Sequence, residues 1–215
     1  MNFVSSPFSF AKVILLMQFE TERFRITPLT PVDASAQLSD WTLDPLGAEM
    51  LNESQKPWPI EHQRRYFAAQ ATSLGQIMLG FREKASNRLI GFFLIEPNPK
   101  ALNYTLTTMI GEKKARGDRV IDEVSEPVHD HFFNKLGYAK AKANVRPHNR
   151  AMLWLMANGG WKKEAHLVQH LRESVTGKRV DVLVMAMLAE DWRNYMQRNK
   201  KRPWQAFLKN KDPKP

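Results

Sequence analysis

The segment with the clearest chemistry is a short basic loop between a predicted strand and a predicted helix. It reads Arg116-Gly117-Asp118-Arg119-Val120-Ile121 and follows an apolar run over residues 102–110. Because the first N–H groups of a helix have no partner within the helix, a loop of this kind presents them to an anion. Gly117 lets the backbone approach a ligand closely, and arginine side chains bind phosphate oxygens through charge-assisted hydrogen bonds. A loop of this composition before a helix can therefore bind an anion.

Other reactive groups are scarce in this sequence. It has no cysteine, which excludes a disulfide framework, a thiolate nucleophile and a zinc site with cysteine ligands. Its six histidines show no metal-ligand spacing. His129 and His131 are two residues apart on a predicted helix, so they would point to different faces. We therefore expect no metal site, and we expect these histidines on the solvated surface of the helix.

The spacing of apolar residues predicts the element order β-αα-βββ-α-β-α-ββ. Alternating and continuous apolar runs predict strands over residues 20–28, 76–82, 89–96, 102–110, 140–145, 164–172 and 180–188. Helical spacing and capping signals predict helices over residues 30–41, 60–73, 120–136 and 149–158, with a short helix near 48–53. Pro127 interrupts the 120–136 pattern, so we expect a kink or a late start there. This order favours a mixed α/β sheet with helices on both faces.

Length and composition indicate one globular domain. A chain of 215 residues can bury one sizeable core, and its 43% hydrophobic and 25% charged residues are typical of globular proteins. We expect an N-terminal extension over residues 1–19, a folded domain over 20–192 and a basic C-terminal tail over 193–215. Residues 1–16 are expected either to be poorly ordered or to precede the true start of the protein.

The positive charge of the chain is concentrated at its C-terminal end. Residues 191–215 carry +6 of the total +10, which leaves +4 for the rest. A uniformly basic surface for nucleic acid is therefore not indicated, and we expect a solvated tail, with a contact to RNA, an anionic protein or a membrane as the open alternative. The apolar run 13–17 is shorter than the roughly 20 residues of a membrane span, and the segment before it lacks the charge of a signal peptide. We expect a cytoplasmic protein.

Several different short motifs follow one another, without an insertion or deletion, between residues 110 and 161. They are Ile110-Gly111-Glu112, Arg116-Gly117, Asp122-Glu123, Phe133, Leu136-Gly137, Val145, Pro147, Asn149 and Gly160-Trp161. Weaker matches at Thr21-Glu22-Arg23-Phe24-Arg25-Ile26 and Asp191-Trp192 extend the pattern to residues 20–192. Together they resemble the GNAT superfamily of N-acetyltransferases, nearest the branch that contains ribosomal-protein N-terminal acetyltransferases. The resemblance implies the mixed α/β acyl-CoA N-acyltransferase fold, with acetyl-CoA and an amine acceptor as substrates.

The resemblance also assigns the residues that would bind acetyl-CoA. The strand over 102–110 would separate from the following strand, and its end would hydrogen-bond the pantetheine arm. The loop at 116–121 would hold the pyrophosphate, and Asn149 would reach the pantetheine arm while also suiting a helix N-cap. The full set is Met109, Ile110, Gly111, Arg116, Gly117, Asp118, Arg119, Val120, Ile121 and Asn149.

Two residues of the loop depart from the family pattern Arg-x-x-Gly-x-Gly/Ala. Arg119 and Ile121 occupy the positions of the glycine and the small residue. Asp118 adds a negative charge where an anion would bind. The Arg119 side chain either fills the phosphate space or turns outward to bind the phosphates, and we favour the second geometry.

The catalytic acid and base are not identified by the sequence. Met156 stands where many relatives place a tyrosine that serves as the acid, and methionine donates no proton. Backbone N–H groups of the 102–110 strand would polarise the thioester carbonyl. Trp41 and Trp58 line either the acceptor pocket or the core. The carboxylates that could act as a base, although surface solvation is favoured for each, are Glu49, Glu53, Glu61 and Glu96.

Two functions of different classes stay open. The favoured one is an N-acetyltransferase for a small amine or a protein N-terminus, supported by the intact spacing to Asn149. The alternative is a catalytically silent GNAT-fold module that binds a partner through its basic tail, supported by Arg119 and Ile121. Nucleic-acid binding rests on the tail charge alone and is not expected. The acceptor and the oligomeric state, including a homodimer, are left open.

Overall fold

A mixed eight-stranded sheet forms the framework that positions the other elements. The computed structural model describes residues 17–51, 55–70, 75–174, 176–200, 202 and 204–205. The strands are β1 (Phe19–Glu20), β2 (Phe24–Pro28), β3 (Ile77–Glu83), β4 (Leu89–Asn98), β5 (Asn103–Ile110), β6 (Lys140–Val145), β7 (Lys162–Arg172) and β8 (Arg179–Leu188). They lie in the order β1-β2-β3-β4-β5-β6-β8-β7, and each pair is antiparallel except β5 with β6.

Helices connect the strands and cover the sheet. They are α1 (Ala36–Thr42), α2 (Pro45–Leu51), α3 (Ile60–Gln70), α4 (Val120–Asp130), α5 (Arg150–Asn158) and α6 (Ala189–Arg198). No helix in the described ranges is long and apolar enough to cross a membrane. The predicted extension over residues 1–16 lies outside the described residues.

Each face of the sheet buries its own apolar cluster. The larger cluster contains Val124 and Val128 of α4 and Leu79 of β3. The smaller cluster contains Phe67 of α3 and Met78 of the same strand. Because successive side chains of a strand point to opposite faces, Met78 and Leu79 belong to different layers. The expected mixed sheet with helices on both faces is confirmed.

Some predicted elements have different bounds in the structure. Residues Pro31–Asp33 form only a 3₁₀ turn, in which the Asp33 carboxylate accepts the Thr30 N–H at 2.7 Å, and the chain is then extended at Ser35 before α1 begins. The region 42–59, predicted as a loop with a short helix near 48–53, contains α2 with Pro45 as its first residue. The missing N–H of a proline costs nothing at that position.

Pro127 lies inside α4, which begins at Val120, so the predicted late start is wrong. The irregularity follows one turn later as a π-helical turn at His131–Lys135. There the Leu136 N–H donates to the His131 carbonyl, five residues earlier, at 2.9 Å. Pro127 has no N–H for the preceding turn, which weakens the regular pattern at this point.

The two central strands separate along their length, as predicted. Strands β5 and β6 pair only at Asn103, Tyr104 and Thr105 of β5. β5 continues to Ile110, and from Leu106 onward it has no strand partner on its β6 side among the described residues. The gap opens beside the start of α4, which brings the predicted loop and the free strand edge together.

His129 is not solvated as expected, because α4 turns it into the core. Its side chain is 3% exposed and packs against Phe133, Trp161 and Trp192. Burial lowers the pKa of His129 to about 3, so the imidazole is neutral at neutral pH. Burial also raises the pKa of Tyr104 well above its usual value. The Tyr104 hydroxyl and Nδ1 of the neutral His129 share a hydrogen bond of 2.6 Å.

The expectation of a fully solvated C-terminal tail is wrong. Trp204 is 7% exposed, and its indole Nε1 donates to Glu126 of α4 at 3.3 Å. The Arg202 guanidinium pairs with the same carboxylate at 2.8 Å. The tail thus packs on the helix whose N-terminus forms the predicted phosphate site.

Replacing Trp204 with alanine is expected to lower the melting temperature by several degrees. Exposing a buried aromatic side chain costs about 2 kcal/mol, and in a chain of this size each kcal/mol shifts melting by roughly 2–4 °C. Thermal unfolding of the variant against wild type measures the effect, with the exposed Lys200→Ala as the control. An unchanged melting temperature would contradict docking of Trp204.

Candidate functional site

A groove of about 390 Å³ runs along the gap between β5 and α5 and ends at the start of α4. Most of its wall is apolar, which suits a long flexible ligand with a polar end. Its lining residues are Leu46, Gly47, Thr108, Met109, Ile110, Arg116, Gly117, Arg119, Val120, Ile121, Asn149, Ala151, Met152, Trp154 and Leu155. Eight of the ten residues predicted to bind acetyl-CoA are therefore brought together here.

A smaller cavity of about 70 Å³ continues the groove into the space between β5 and β6. The two cavities share Thr108, Ile121, Asn149, Met152 and Leu155. The smaller one is also lined by Met156, whose side chain is buried. Met156 therefore faces the gap between β5 and β6, and its thioether has no proton to donate there.

The loop before α4 adopts the backbone conformation that exposes helix N–H groups. Gly117 has φ +89°, a value that side-chain-bearing residues rarely adopt, and the space beside its Cα is open. Arg119 is also left-handed, at φ 56°, and directly precedes α4 as its N-cap residue. The N–H groups of Val120 and Ile121 have no partner within the helix, because they belong to its first turn. This end of the groove can bind an anion.

The Arg119 side chain forms part of the groove wall. Its Nε lies 2.8 Å from Oδ2 of Asp122, and its guanidinium covers the Trp154 ring at 5.6 Å. Burial raises the pKa of Asp122, and the Arg119 charge offsets part of that rise. In this geometry Arg119 neutralises a buried carboxylate next to the helix N-terminus.

Arg116 lines the groove, but its guanidinium is bonded to other groups of the protein, and its contact with phosphate stays a prediction. Its Nη2 donates to Asp44 at 2.7 Å and its Nε donates to the Ile110 carbonyl at 3.1 Å. Lys113 contacts the same carboxylate at 3.0 Å. Burial favours a higher pKa for Asp44, but these hydrogen bonds outweigh it and lower the pKa. Arg116 and Lys113 thus attach the α1–α2 segment to the loop.

Gly111 and Asp118 are absent from the groove lining among the described residues. A Cβ on Gly111 would lie 1.9 Å from the Trp41 ring, so this glycine allows close packing of α1. The Asp118 carbonyl accepts the Arg23 guanidinium at 2.9 Å, which places its backbone at the support of the loop. The structure therefore brings neither residue into the lining, and their contact with acetyl-CoA stays a prediction.

Glu123 anchors the loop before α4 to the segment that precedes β2, a role that the sequence analysis missed. Its side chain has no exposed surface, and its carboxylate accepts the Thr21 hydroxyl at 2.7 Å, the Arg23 N–H at 2.8 Å and the Arg23 Nε at 2.6 Å. The same arginine holds the Asp118 carbonyl. The Asp122-Glu123 motif was recognised from spacing, but its partner lies 100 residues away in the sequence.

Asn149 performs the predicted capping role, with its side-chain oxygen accepting the Met152 N–H at 3.2 Å. It also lines both cavities. The same helix contributes Ala151, Leu155 and Trp154, which the sequence analysis did not include. Trp154 and Leu155 lie three and four residues after Ala151, so helical spacing places these three residues on one face. Trp154 is 59% exposed, which is unusual for its size.

A second pocket of about 490 Å³ lies on the other face of β5. Trp41 and Trp58 both line it, and both also pack in the smaller apolar cluster, so the two interpretations of these residues stay open. Met109 lines this pocket as well as the groove, so the two spaces are neighbours at this residue.

None of the predicted carboxylate bases that the structure describes lines this pocket. Glu49 pairs with His148 at 2.7 Å, Glu61 pairs with Arg64 at 2.5 Å, and Glu96 accepts the Gln76 amide at 3.1 Å. Glu53 lies outside the described residues. Their contacts agree with the favoured interpretation of surface carboxylates.

Sequence comparison identifies the family. The model of the acetyltransferase (GNAT) domain matches residues 23–162. The chain belongs to the GNAT acetyltransferase family. This confirms the resemblance drawn from the motifs between residues 110 and 161, whereas the bounds 20–192 for the domain stay a prediction. No curated protein sequence matches the chain significantly.

Solved GNAT structures share the fold over most of their length. The spermidine N-acetyltransferase from Vibrio cholerae, in complex with CoA and spermine, has a TM-score of 0.71 at 17% identity, covering 80% of this chain and 99% of its own. The ribosomal-protein-S5-alanine acetyltransferase from Vibrio fischeri has a TM-score of 0.70 at 14% identity, covering 82% and 98%. The acetyltransferase (GNAT family) from Bacillus anthracis reaches 0.68 at 15% identity, covering 81% and 99%. At these identities the likeness establishes the fold.

Proposed function

We propose that this protein transfers an acetyl group from acetyl-CoA to a primary amine. The observation that carries the proposal is the continuous groove from the α4 N-terminus to the gap between β5 and β6. The Vibrio cholerae spermidine N-acetyltransferase, which shares the fold, was solved with CoA, and this supports the choice of ligand. The catalytically silent module gains no support from the family match.

The groove offers a matching contact for the pyrophosphate and for the pantetheine arm of acetyl-CoA. The pyrophosphate would lie on the N–H groups of Val120 and Ile121, where Gly117 leaves open space. The pantetheine arm would lie against the unpaired edge of β5 and the apolar face of α5. Its amides would exchange hydrogen bonds with the strand, as an added strand does.

The thioester would lie near Met109, where the groove and the second pocket are neighbours. Acetyl-CoA supplies an activated carbonyl there, and the amine nitrogen forms the new C–N bond as the C–S bond breaks. Backbone N–H groups of β5 would stabilise the oxyanion. The proton lost by the amine ends on the CoA sulfur, since Met156 donates none. The chain thereby contributes positioning and electrostatics.

Acetyl-CoA is expected to raise the melting temperature by roughly 5–10 °C. Ligand at 100 times its dissociation constant adds about 2.7 kcal/mol of stability, at about 2–4 °C per kcal/mol. Trp154→Ala, which removes an exposed side chain of the groove wall, should reduce this shift without lowering the melting temperature of the free protein. No shift with the wild-type protein would refute the proposed function and favour the silent module.

Arg119→Gly is expected to weaken acetyl-CoA binding by about 1.5–3 kcal/mol, roughly 10- to 150-fold in Kd. The change removes a cationic donor from the groove wall. It also leaves the Asp122 carboxylate uncompensated beside the proposed pyrophosphate position. Calorimetric titration measures the difference.

The double variant Arg119→Gly with Asp122→Asn separates the two contributions. It removes the uncompensated carboxylate and should recover part of the lost affinity, because one source of repulsion is gone. Tighter binding by the Arg119→Gly variant than by wild type would show that the side chain blocks the phosphate space.

A further inference from the structure

The second pocket has an apolar floor built from both the sheet and α1. Leu38, Trp41, Met78, Phe92 and Met109 each have at most 7% of their surface exposed. The rings of Trp41 and Phe92 are stacked with centroids 6.5 Å apart. A ligand that enters this pocket therefore meets carbon surface at its deepest point.

Two further aromatic rings form a side wall. Trp58 and Tyr66 are half-buried and meet edge to face, with ring centroids 5.6 Å apart. The Tyr66 hydroxyl donates to the Gln76 amide oxygen at 2.7 Å, so its polar end is directed to that residue. The rings are held by packing, which makes the wall a preformed surface for a flat apolar group.

The rim of the pocket differs in character from its floor. Lys56 and His62 are exposed there, beside Pro57 and Pro59. No acidic residue lines the pocket among the residues that the structure describes. A second positive charge on an acceptor would reach the rim next to the Lys56 ammonium, and like charges repel.

We infer that the acceptor is an arylalkylamine, a primary amine on a short chain that ends in an aromatic ring. This inference rests on the proposed function, which places the thioester beside Met109. The amine faces the thioester at Met109, and the ring occupies the space between Trp41, Trp58 and Phe92. Polyamines and peptide N-termini are the competing acceptors, and each would leave the aromatic wall without a matching group.

Initial rates of CoA thiol release with phenethylamine, spermidine and a peptide with an N-terminal alanine test this inference. We expect kcat/KM for phenethylamine to exceed the other two by at least about tenfold, because only its ring buries on the aromatic floor. A preference for spermidine or the peptide overturns the inference. Absence of transfer to phenethylamine also overturns it, provided that acetyl-CoA still raises the melting temperature. A missing thermal shift would instead refute the proposed function itself.

A charge reversal at the rim examines the basis of the selectivity. Lys56 is exposed. The substitution Lys56→Glu should raise kcat/KM for spermidine several-fold relative to phenethylamine, since it removes a repulsive charge and adds an attractive one. Lys178→Glu in the β7–β8 turn makes the same charge change on an exposed lysine that does not line the pocket. An equal ratio of kcat/KM for spermidine to kcat/KM for phenethylamine in the two variants would contradict the role of Lys56.

Discussion

Replacing Glu123 with alanine is expected to lower the free energy of unfolding by about 3–5 kcal/mol. The carboxylate is fully buried and holds Thr21 and Arg23 at distances of 2.6–2.8 Å. Removing one partner of a buried ion pair leaves the other charge and its hydrogen-bonding groups unsatisfied, which costs this amount. Urea denaturation of the variant and the wild-type protein measures the loss.

The control for this experiment is Glu190→Gln, which removes an exposed carboxylate from the first turn of α6. It should change stability by less than about 0.5 kcal/mol. Because Arg23 also holds the Asp118 carbonyl, acetyl-CoA binding by Glu123→Ala should weaken as well. A loss of stability below about 1 kcal/mol would contradict the anchoring role of Glu123.

Lowering the pH from neutrality to 3 is expected to reduce stability by about 4–5 kcal/mol through His129 alone. Burial sets its folded pKa to about 3, whereas the ordinary value is 6.5. Between these values the unfolded chain binds a proton that the folded chain does not, so stability decreases as the pH falls through 6.5 and continues to decrease to about 3. Each unit of difference between the folded and unfolded pKa contributes about 1.36 kcal/mol to the loss of stability.

The double variant Tyr104→Phe with His129→Phe isolates this contribution. It removes the titrating imidazole and its hydroxyl partner together, so neither of these two groups is left buried without the other. Urea midpoints of the variant and wild type, compared across this pH range, should diverge as the pH falls, with the variant losing less stability. Parallel curves would refute the assignment to His129.

Local patterns in the sequence were sufficient to predict the order of the elements. Period-two alternation along β2, the four-residue spacing of Val120, Val124 and Val128, and the asparagine before α5 each depend only on neighbouring residues. Such signals specify a strand, an amphipathic face or a cap without reference to the rest of the chain. These signals failed at Pro31–Asp33. Thr30 caps a 3₁₀ turn there, but the chain does not continue from that turn as an α-helix.

The positions of most candidate ligand-binding residues were also predicted, because the family motifs retain their spacing from Ile110 to Asn149. The orientations of the side chains were not. Arg116 follows the motif but is directed to Asp44, and Gly111 serves the packing of Trp41. A motif records which residue occupies a position, whereas the direction of its side chain depends on the neighbours that the fold supplies.

The sequence by itself determined the α/β class, the family and the loop that begins α4, since these depend on periodicity and motif spacing. Only the tertiary structure decided which charges are paired, which histidine is buried and where the aromatic rings converge. Arg23 with Glu123, Asp44 with Arg116 and Glu126 with Arg202 join residues 72 to 100 positions apart. These contacts exist because packing on a common sheet brings distant segments within hydrogen-bonding distance, and no local pattern encodes that distance.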